Sequence, residues 1–264
     1  MEKIGIGILT YNRKESFLNL LKYLYRNKTD NMYIIVVKDK DIDYGEDFSY
    51  MADDYINANN NIGTNKNILL RKMLENNCKH LFLLEDDVII NPEYGVEVFN
   101  EYIDTAKEFN IGHLCANGIG NGNPDQILTK TVSHNTKTLT CWKLLEGLFE
   151  YFTKDCIMMC GLFDERYDNA YEHIEHSIRI HKLGFTTGPG YYADIENSKK
   201  YLEKFDPGSH TLPYDTEYQN KKIKDGLIRF TNMYYNNYQN FGIVFSNIND
   251  SISVLYNRIS KKNI

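Results

Sequence analysis

Short apolar runs alternate with amphipathic segments along the N-terminal half of the chain. Residues 4–9, 33–37 and 80–84 form the apolar runs, and their length and bulky apolar side chains predict buried strands. Between the first two runs, residues 14–26 carry apolar side chains three, four and seven positions apart, which predicts a helix with one buried face. These side chains are Phe17, Leu20, Leu21 and Leu24.

Two further helices are predicted after polar segments. The first begins with Thr64 as its cap, and the second follows the Asn91-Pro92 pair. Residues 39–61 predict a loop-rich segment with a weak strand at 55–56. Because strands and helices alternate, the pattern favours a parallel sheet with right-handed crossovers and a nucleotide-binding α/β domain.

The second half of the chain is less regular. Residues 151–159 predict a strand, residues 112–124 a flexible surface loop, and residues 169–183 a helix that Gly184 ends. Residues beyond 201 predict helices packed over one end of the core. We therefore expect one main domain at residues 1–200 and a C-terminal helical extension at residues 201–264.

Three consecutive carboxylates interrupt the third apolar run. Glu85, Asp86 and Asp87 follow the predicted strand and stand before a second apolar stretch. The carboxyl ends of strands in open α/β sheets form the ligand-binding crevice. Clustered carboxylates repel one another and suit a hard divalent cation, so the triplet predicts a Mg²⁺ or Mn²⁺ site. The alternative is a solvated acidic turn.

Composition narrows the classes of protein. The 264 residues are 42% hydrophobic and carry a net charge of -6, which argues against nucleic acid as a partner. The five cysteines form no CxxC pair, so we expect reduced thiols and a cytoplasmic protein. No apolar run approaches a membrane-spanning helix. Weak peripheral membrane contact through the basic residues 258–262 stays open, as does the oligomeric state.

Six segments in one order give the chain a family resemblance. They lie at residues 8–13, 36–39, 61–67, 84–87, 161–165 and 172–179. Over residues 3–190 the chain resembles the family 2 glycosyltransferases. The resemblance implies an α/β GT-A fold, with a mostly parallel central sheet flanked by helices. It also implies an inverting enzyme that takes a nucleotide-sugar and a divalent metal, Mn²⁺ or Mg²⁺.

The resemblance assigns donor-binding roles to residues at the strand ends. By the family pattern, Thr10, Tyr11 and Arg13 hold the nucleobase and ribose. Asp39 matches the acid that pairs with a uracil ring, which favours UDP. Residues 38–41 read Lys-Asp-Lys-Asp where the family usually has Asp-Asp-Gly-Ser, so contacts from that loop depart from the pattern.

The resemblance also supplies candidates for the diphosphate and the metal. Gly63, Lys66 and Asn67 match the family's Gly and Arg-Asn, and Lys66 is expected to offer its charge to the diphosphate. Asp87 is the expected direct metal ligand. Asp86 and Glu85 are expected to divide ribose contact and water-mediated metal contact, and His210 is a candidate extra ligand.

The catalytic base departs from the family pattern. The family has a Glu-Asp pair seven and six residues before an Arg, and counting back from Arg179 gives Glu172 and His173. A histidine therefore stands where the family has its aspartate. We expect Glu172 as the base, with His173 second and Glu175 as a further candidate. The alternative for these helical residues is a solvated ion-pair face.

The expected function is sugar transfer from a UDP-sugar to a saccharide acceptor in surface glycan synthesis, with a metal and with inversion. A sugar-1-phosphate nucleotidyltransferase shares the α/β plan and is one alternative. The other is a module that binds glycan or nucleotide without turnover, because position 173 lacks the aspartate.

Overall fold

The computed structural model describes residues 1–58, 61–119, 126–167, 170–205 and 216–235. Its strands are β1 (Ile4–Thr10), β2 (Met32–Asp39), β3 (Asp54–Ala58), β4 (His80–Glu85), β5 (Val88–Ile90), β6 (His113–Cys115), β7 (Leu128–His134), β8 (Lys137–Trp142), β9 (Phe149–Thr153), β10 (Tyr192–Ile195) and β11 (Leu202–Lys204). Its helices are α1 (Lys14–Arg26), α2 (Ile62–Glu75), α3 (Glu97–Phe109), α4 (Lys154–Cys160), α5 (Glu172–Lys182), α6 (Ser198–Tyr201) and α7 (Thr216–Phe230).

A six-stranded sheet forms the centre, in the order β3-β2-β1-β4-β9-β6. Strands β1, β2, β3 and β4 pair in parallel, whereas β9 runs antiparallel to β4 and to β6. A three-stranded sheet, β10-β8-β7, and a two-stranded sheet, β11-β5, complete the pairing in the described residues. The carboxyl ends of β1 and β4 are neighbours, because the two strands pair in register from Ile4 to Leu9.

Helices cover both faces of the central sheet, and each strand divides its side chains between them. In β2, Ile34 and Val36 join the larger core with residues of α1 and α3, while Ile35 and Val37 join a second core with residues of α2 and α4. A parallel strand that is buried on both faces needs an uninterrupted apolar run. The α/β expectation is therefore confirmed, including the mostly parallel sheet.

Two predicted element boundaries are wrong. Helix α2 begins at Ile62, two residues early, because the Asn61 side chain accepts a hydrogen bond from the Thr64 N–H at 2.8 Å and so acts as the cap. The predicted strand at 151–159 ends at Thr153. There the threonine hydroxyl accepts from the Cys156 N–H at 3.2 Å and starts helix α4.

The segment predicted as a surface loop at 112–124 is also wrong as far as residue 119. Residues 112–119 are buried, and residues 113–115 form β6 against β9. Gly112 lies so close to the start of α4 that an added Cβ would stand 2.8 Å from the Cys156 Cβ. The remaining loop residues, 120–125, lie outside the described residues.

The described residues of the C-terminal part contact the core through a strand pair and an apolar cluster. Strand β11 pairs with β5, and Phe230 of α7 and Tyr234 of the segment after it form a cluster with Tyr167 and Ile178 of the core. The division at residue 200 stays a prediction, as do the roles of residues 258–262, which are outside the described ranges. Among the described helices, none is long and apolar enough to cross a bilayer.

Candidate functional site

The acidic triplet lies where β4 ends, beside the end of β1. Residues 11–13 follow β1 and lie against Asp86, whose carboxylate accepts from the Tyr11 N–H at 3.0 Å and from Arg13 Nη1 at 3.1 Å. Asn12 between them has a φ of 55°, a left-handed conformation that asparagine tolerates better than most residues. The turn after β1 therefore places the positively charged guanidinium of Arg13 beside the triplet.

One carboxylate oxygen of Asp87 is paired with Arg13, and the other is bare, with no hydrogen-bond partner. Its Oδ2 lies 2.9 Å from Arg13 Nη1, while its Oδ1 is buried with no hydrogen-bond partner. The backbone oxygen of Asp87 accepts from the Phe205 N–H at 2.7 Å, which fixes this residue beside β11. A buried, bare carboxylate oxygen is costly unless a cation or donor reaches it.

The residues of the triplet suit an ion such as Mg²⁺, which takes only some of its ligands from the protein, better than a metal whose ligands all come from protein side chains. Among the described residues, no group of three or more His, Cys, Asp or Glu is arranged to hold a metal. Mg²⁺ is commonly bound by one or two carboxylates, substrate phosphates and water, so a full cage is unnecessary. His210, the candidate extra ligand, lies outside the described residues.

The acids of the triplet ionise with difficulty in the structure. Burial, with the nearby Asp87 charge, raises the pKa of Glu85 to about 8. Burial raises the pKa of Asp86 to about 6, against the opposing charge of Arg13, and raises that of Asp87 as well. A cation bound here would therefore be favoured by all three carboxylates. The solvated acidic turn is wrong, because Asp86 and Asp87 are each only 3% exposed.

The candidate nucleobase residues lie on the same edge. The Thr10 hydroxyl is buried and hydrogen-bonded to the Tyr44 hydroxyl at 2.6 Å. Asp39 is half-buried at the end of β2, and its carboxylate accepts from the Asp41 N–H at 2.9 Å. The structure brings these strand ends together, while their contact with a nucleobase stays a prediction.

The three candidates from α2 use their polar atoms inside the protein. Lys66 is fully buried, with its Nζ 3.3 Å from Glu150 Oε2 and 3.5 Å from Glu172 Oε1. Asn67 exchanges two hydrogen bonds with the backbone of Phe163, at 2.9 and 3.0 Å. Gly63 lies near backbone oxygens of the same segment. Contact with a diphosphate stays a prediction for all three.

Glu172 is the first residue of α5 and lies under His173. Its Oε1 is 3.2 Å from His173 Nδ1, and its side chain is 4% exposed, against 22% for His173. Burial favours the protonated acid, but the charges of His173 and Lys66 prevail and lower the pKa of Glu172 to about 2. Burial likewise opposes the charged imidazole, yet Glu172 raises the pKa of His173 above its ordinary value.

Glu175 belongs to a different group. Arg179 donates to both of its carboxylate oxygens, at 2.7 and 2.9 Å, and the Tyr234 hydroxyl donates to Oε1 at 2.7 Å. These contacts tie α5 to the segment after α7. The solvated-face alternative is wrong, because Glu172, Glu175 and His176 are at most 3% exposed. Glu175 as a base stays a prediction that its saturated hydrogen bonding disfavours.

Sequence reasoning missed three charged residues near the site. Glu150 of β9 is 1% exposed and pairs with Lys66. The available signal was its position between Phe149 and Tyr151 in an apolar run, because acids are rarely buried without a partner. Glu146 and Lys204 had no such signal. Burial raises the pKa of the half-buried Glu146, and the charges of Lys204, His173 and Asp87 all act on it, so these four residues lie in one charged region.

Comparisons with known proteins agree with this architecture. No family model matches the chain. The chain is 27% identical over 222 residues to an uncharacterized glycosyltransferase of Acanthamoeba polyphaga mimivirus, covering 76% of this chain and 80% of the relative.

Among solved structures, S. aureus TarS aligns with a TM-score of 0.54 and 15% identity over 77% of this chain, which spans only 37% of that longer protein. A shorter TarS fragment in complex with UDP aligns with a TM-score of 0.50 and 14% identity, covering 89% of this chain and 73% of the fragment. The fold and the named sequence relative together support a glycosyltransferase enzyme of the GT-A type.

Proposed function

We propose that this chain is a metal-dependent, inverting glycosyltransferase that moves a sugar from a UDP-sugar to a saccharide acceptor in surface glycan synthesis. One observation carries the proposal: the buried Asp87 carboxylate has a bare Oδ1 beside Arg13, at the strand ends where α/β sheets bind ligands. A divalent cation with a diphosphate is the kind of ligand that satisfies this arrangement.

The donor would lie along the ends of β1, β2 and β4. We assign the nucleoside contacts to Thr10, Tyr11 and Asp39, which lie at or next to the ends of β1 and β2. A fragment of TarS with a similar fold has been crystallised with UDP. A carboxylate such as Asp39 can accept from the ring N–H of uracil, which adenine does not present on its pairing edge. This supports UDP as the carrier.

Asp87 and Asp86 would hold the cation, Mn²⁺ or Mg²⁺. The bound ion would act as a Lewis acid on the leaving diphosphate. Arg13 holds both carboxylates in place through contacts of 2.9 and 3.1 Å. Lys204, on β11 next to the residue that bonds the Asp87 backbone, adds positive charge on the same side.

Inversion requires a base on the face of the sugar opposite the diphosphate. The pair Glu172 and His173 lies near the triplet, because the charge of Glu172 acts on Glu85 and the charges of His173 and Asp87 both act on Glu146. The pair therefore supports single-displacement chemistry. It also weakens the non-catalytic alternative, because a binding module has no need of a buried acid held beside an imidazole.

Nucleotide release tests the proposal. Purified protein is incubated with Mn²⁺ and UDP-glucose, UDP-galactose or UDP-N-acetylglucosamine, with and without a saccharide mixture, and freed UDP is measured. We expect release by the wild type, loss of release and of Mn²⁺-dependent UDP binding in Asp87→Asn, and wild-type behaviour in the exposed control Asp30→Asn. Release by Asp87→Asn at the wild-type rate would contradict the metal role.

The same assay separates the two alternatives. A nucleotidyltransferase would consume UTP and a sugar 1-phosphate and release pyrophosphate, without freeing UDP from a UDP-sugar. A binding module would give calorimetric heat with UDP and Mn²⁺ but release no UDP from any donor. Either result would refute the proposed activity.

A further inference from the structure

The first turn of α5 carries a carboxylate and an imidazole as a preassembled pair. We infer that His173 is the general base of the transfer reaction and that Glu172 is the positioning residue that orients it. Lys66 and Glu150 in turn hold the Glu172 carboxylate from the side of the core. The inference rests on the proposed function and assigns roles within its site. It places His173 first, whereas the sequence alone favoured Glu172.

Hydrogen bonding fixes which nitrogen is available. Glu172 is ionised at neutral pH and can only accept, so the contact of 3.2 Å requires a hydrogen on His173 Nδ1. In the neutral imidazole the other nitrogen, Nε2, then carries the basic lone pair. Within the described residues, the structure gives Nε2 no hydrogen-bond partner.

Exposure separates the two groups. The Glu172 side chain is 4% exposed, so an acceptor hydroxyl has little access to its carboxylate, whereas His173 keeps 22% of its side-chain surface. The ring lies against Gly147, where an added Cβ would stand 3.4 Å from His173 Cγ. The charges of His173 and Asp87 both act on Glu146, the residue before Gly147, so the imidazole and the acidic triplet lie in the same charged region.

Lys66 and Glu150 hold the acid in place from the core. Lys66 Nζ reaches Glu150 at 3.3 Å and Glu172 at 3.5 Å, and all three side chains are at most 4% exposed. The ammonium also lies 5.1 Å from the centre of the Phe163 ring. A buried cation shared by two acids is rigid, so the Glu172 carboxylate has one orientation.

The backbone before Glu172 has an unusual conformation. Tyr171 has a φ of 69°, in the left-handed region that bulky residues rarely adopt. Its ring packs 5.6 Å from that of Phe230 in α7, and Gly226 of the same helix leaves room for it. Helix α7 therefore packs against the turn that immediately precedes Glu172 and His173. Such conformations cluster at functional sites.

Sugar transfer then occurs as a single displacement at the sugar C1. The acceptor O–H gives its proton to His173 Nε2 while its oxygen forms a bond to the sugar C1. The bond between C1 and the diphosphate oxygen breaks, and its electron pair leaves with UDP. The positive imidazolium is stabilised by Glu172, and it returns its proton to water after product release.

The pH dependence of UDP release tests the assignment. Four charged groups face the imidazole from the packed elements: Glu172, Lys66, Glu150 and Glu146. Because Glu172 raises the pKa of His173 above its ordinary value, kcat/KM of the wild type should rise about tenfold per pH unit on an acid limb and level off above the raised pKa. If Glu172 with its pKa of about 2 were the base, the profile would show no such limb near neutrality.

Variants make the test specific. We expect His173→Gln to lose the limb and about 10²- to 10⁴-fold in kcat, while its Kd for UDP with Mn²⁺ changes less than about threefold. Glu172→Gln should move the limb to lower pH, because the imidazolium loses its counter-charge. His134→Gln is the matched control. The side chain of His134, in β7 of the three-stranded sheet, is 25% exposed and lies 3.5 Å from Glu108 of α3, so the pH profile of this variant should match the wild type.

The outcomes separate the two levels of the proposal. A wild type that neither binds UDP with Mn²⁺ nor releases it overturns the proposed function and the base assignment with it. A wild type that turns over while His173→Gln keeps its kcat and its acid limb overturns the assignment alone. Thermal unfolding of each variant within about 3 °C of the wild type confirms that the folds are intact.

Discussion

Among the described residues, Lys66 is the one ion-pair partner of Glu150 and one of two partners of Glu172, and replacing it by methionine removes both contacts. Methionine fills a similar volume, so the cavity stays packed while the charge disappears. Breaking a buried pair by removing one member costs about 3–5 kcal/mol, because the remaining charge is left in a poorly polarisable interior. We expect a loss in that range at neutral pH.

Urea unfolding followed by circular dichroism measures this loss. With an m-value of about 3 kcal/mol/M for a chain of this size, the unfolding midpoint should fall by about 1–2 M. The control is Lys72→Met in the same helix. Lys72 is 40% exposed and lies 3.5 Å from the exposed Glu75, so its loss should be below about 1 kcal/mol.

The pH dependence of the loss follows from Glu172. Its folded pKa of about 2 lies below its ordinary 4.5, first through the charge of His173 and then through that of Lys66. The ion pair with Lys66 therefore contributes part of the stability that is present above pH 4.5 and is lost as pH falls toward 2. The difference between wild type and Lys66→Met should therefore shrink below pH 4.5. A loss under about 1 kcal/mol at neutral pH, or one that is constant as the acids protonate, would refute the reasoning.

Two other substitutions test the packing around the site by the same unfolding assay. Gly112→Ala should cost about 1–3 kcal/mol of unfolding free energy, because its Cβ would stand 2.8 Å from Cys156 Cβ. Gly63→Ala, whose Cβ would have no neighbour nearer than 3.5 Å, should cost under about 1 kcal/mol. Equal losses would contradict the packing argument. Tyr234→Phe should cost about 1–3 kcal/mol, because the buried Glu175 loses a donor at 2.7 Å, and an unchanged midpoint would show that the hydrogen bond contributes nothing.

Local pattern was sufficient for the N-terminal sheet. The runs at β1, β2 and β4 are apolar on both faces, and helix α1 has the predicted bounds, because burial on each side leaves little freedom in residue type. Boundaries failed where a single side chain decides them. The caps at Asn61 and Thr153 compete with neighbouring residues of similar propensity, so composition alone does not choose between them.

The acidic triplet was visible in the sequence because three charges interrupt an apolar strand, and Asp87 was singled out by the resemblance. The network around Glu150 was invisible. It joins residues 66, 150 and 172 from three different elements, and no spacing along the chain relates them.

The sequence by itself determined the alternation of strands and helices, the acidic strand end and the two residues at the start of α5, because each is a local property of side-chain type and order. Only the tertiary structure decided which of those side chains are buried, which nitrogen of His173 is available and which oxygen of Asp87 is bare. Such facts depend on contacts between elements far apart in the chain, and burial and charge pairing exist only after those elements have packed together.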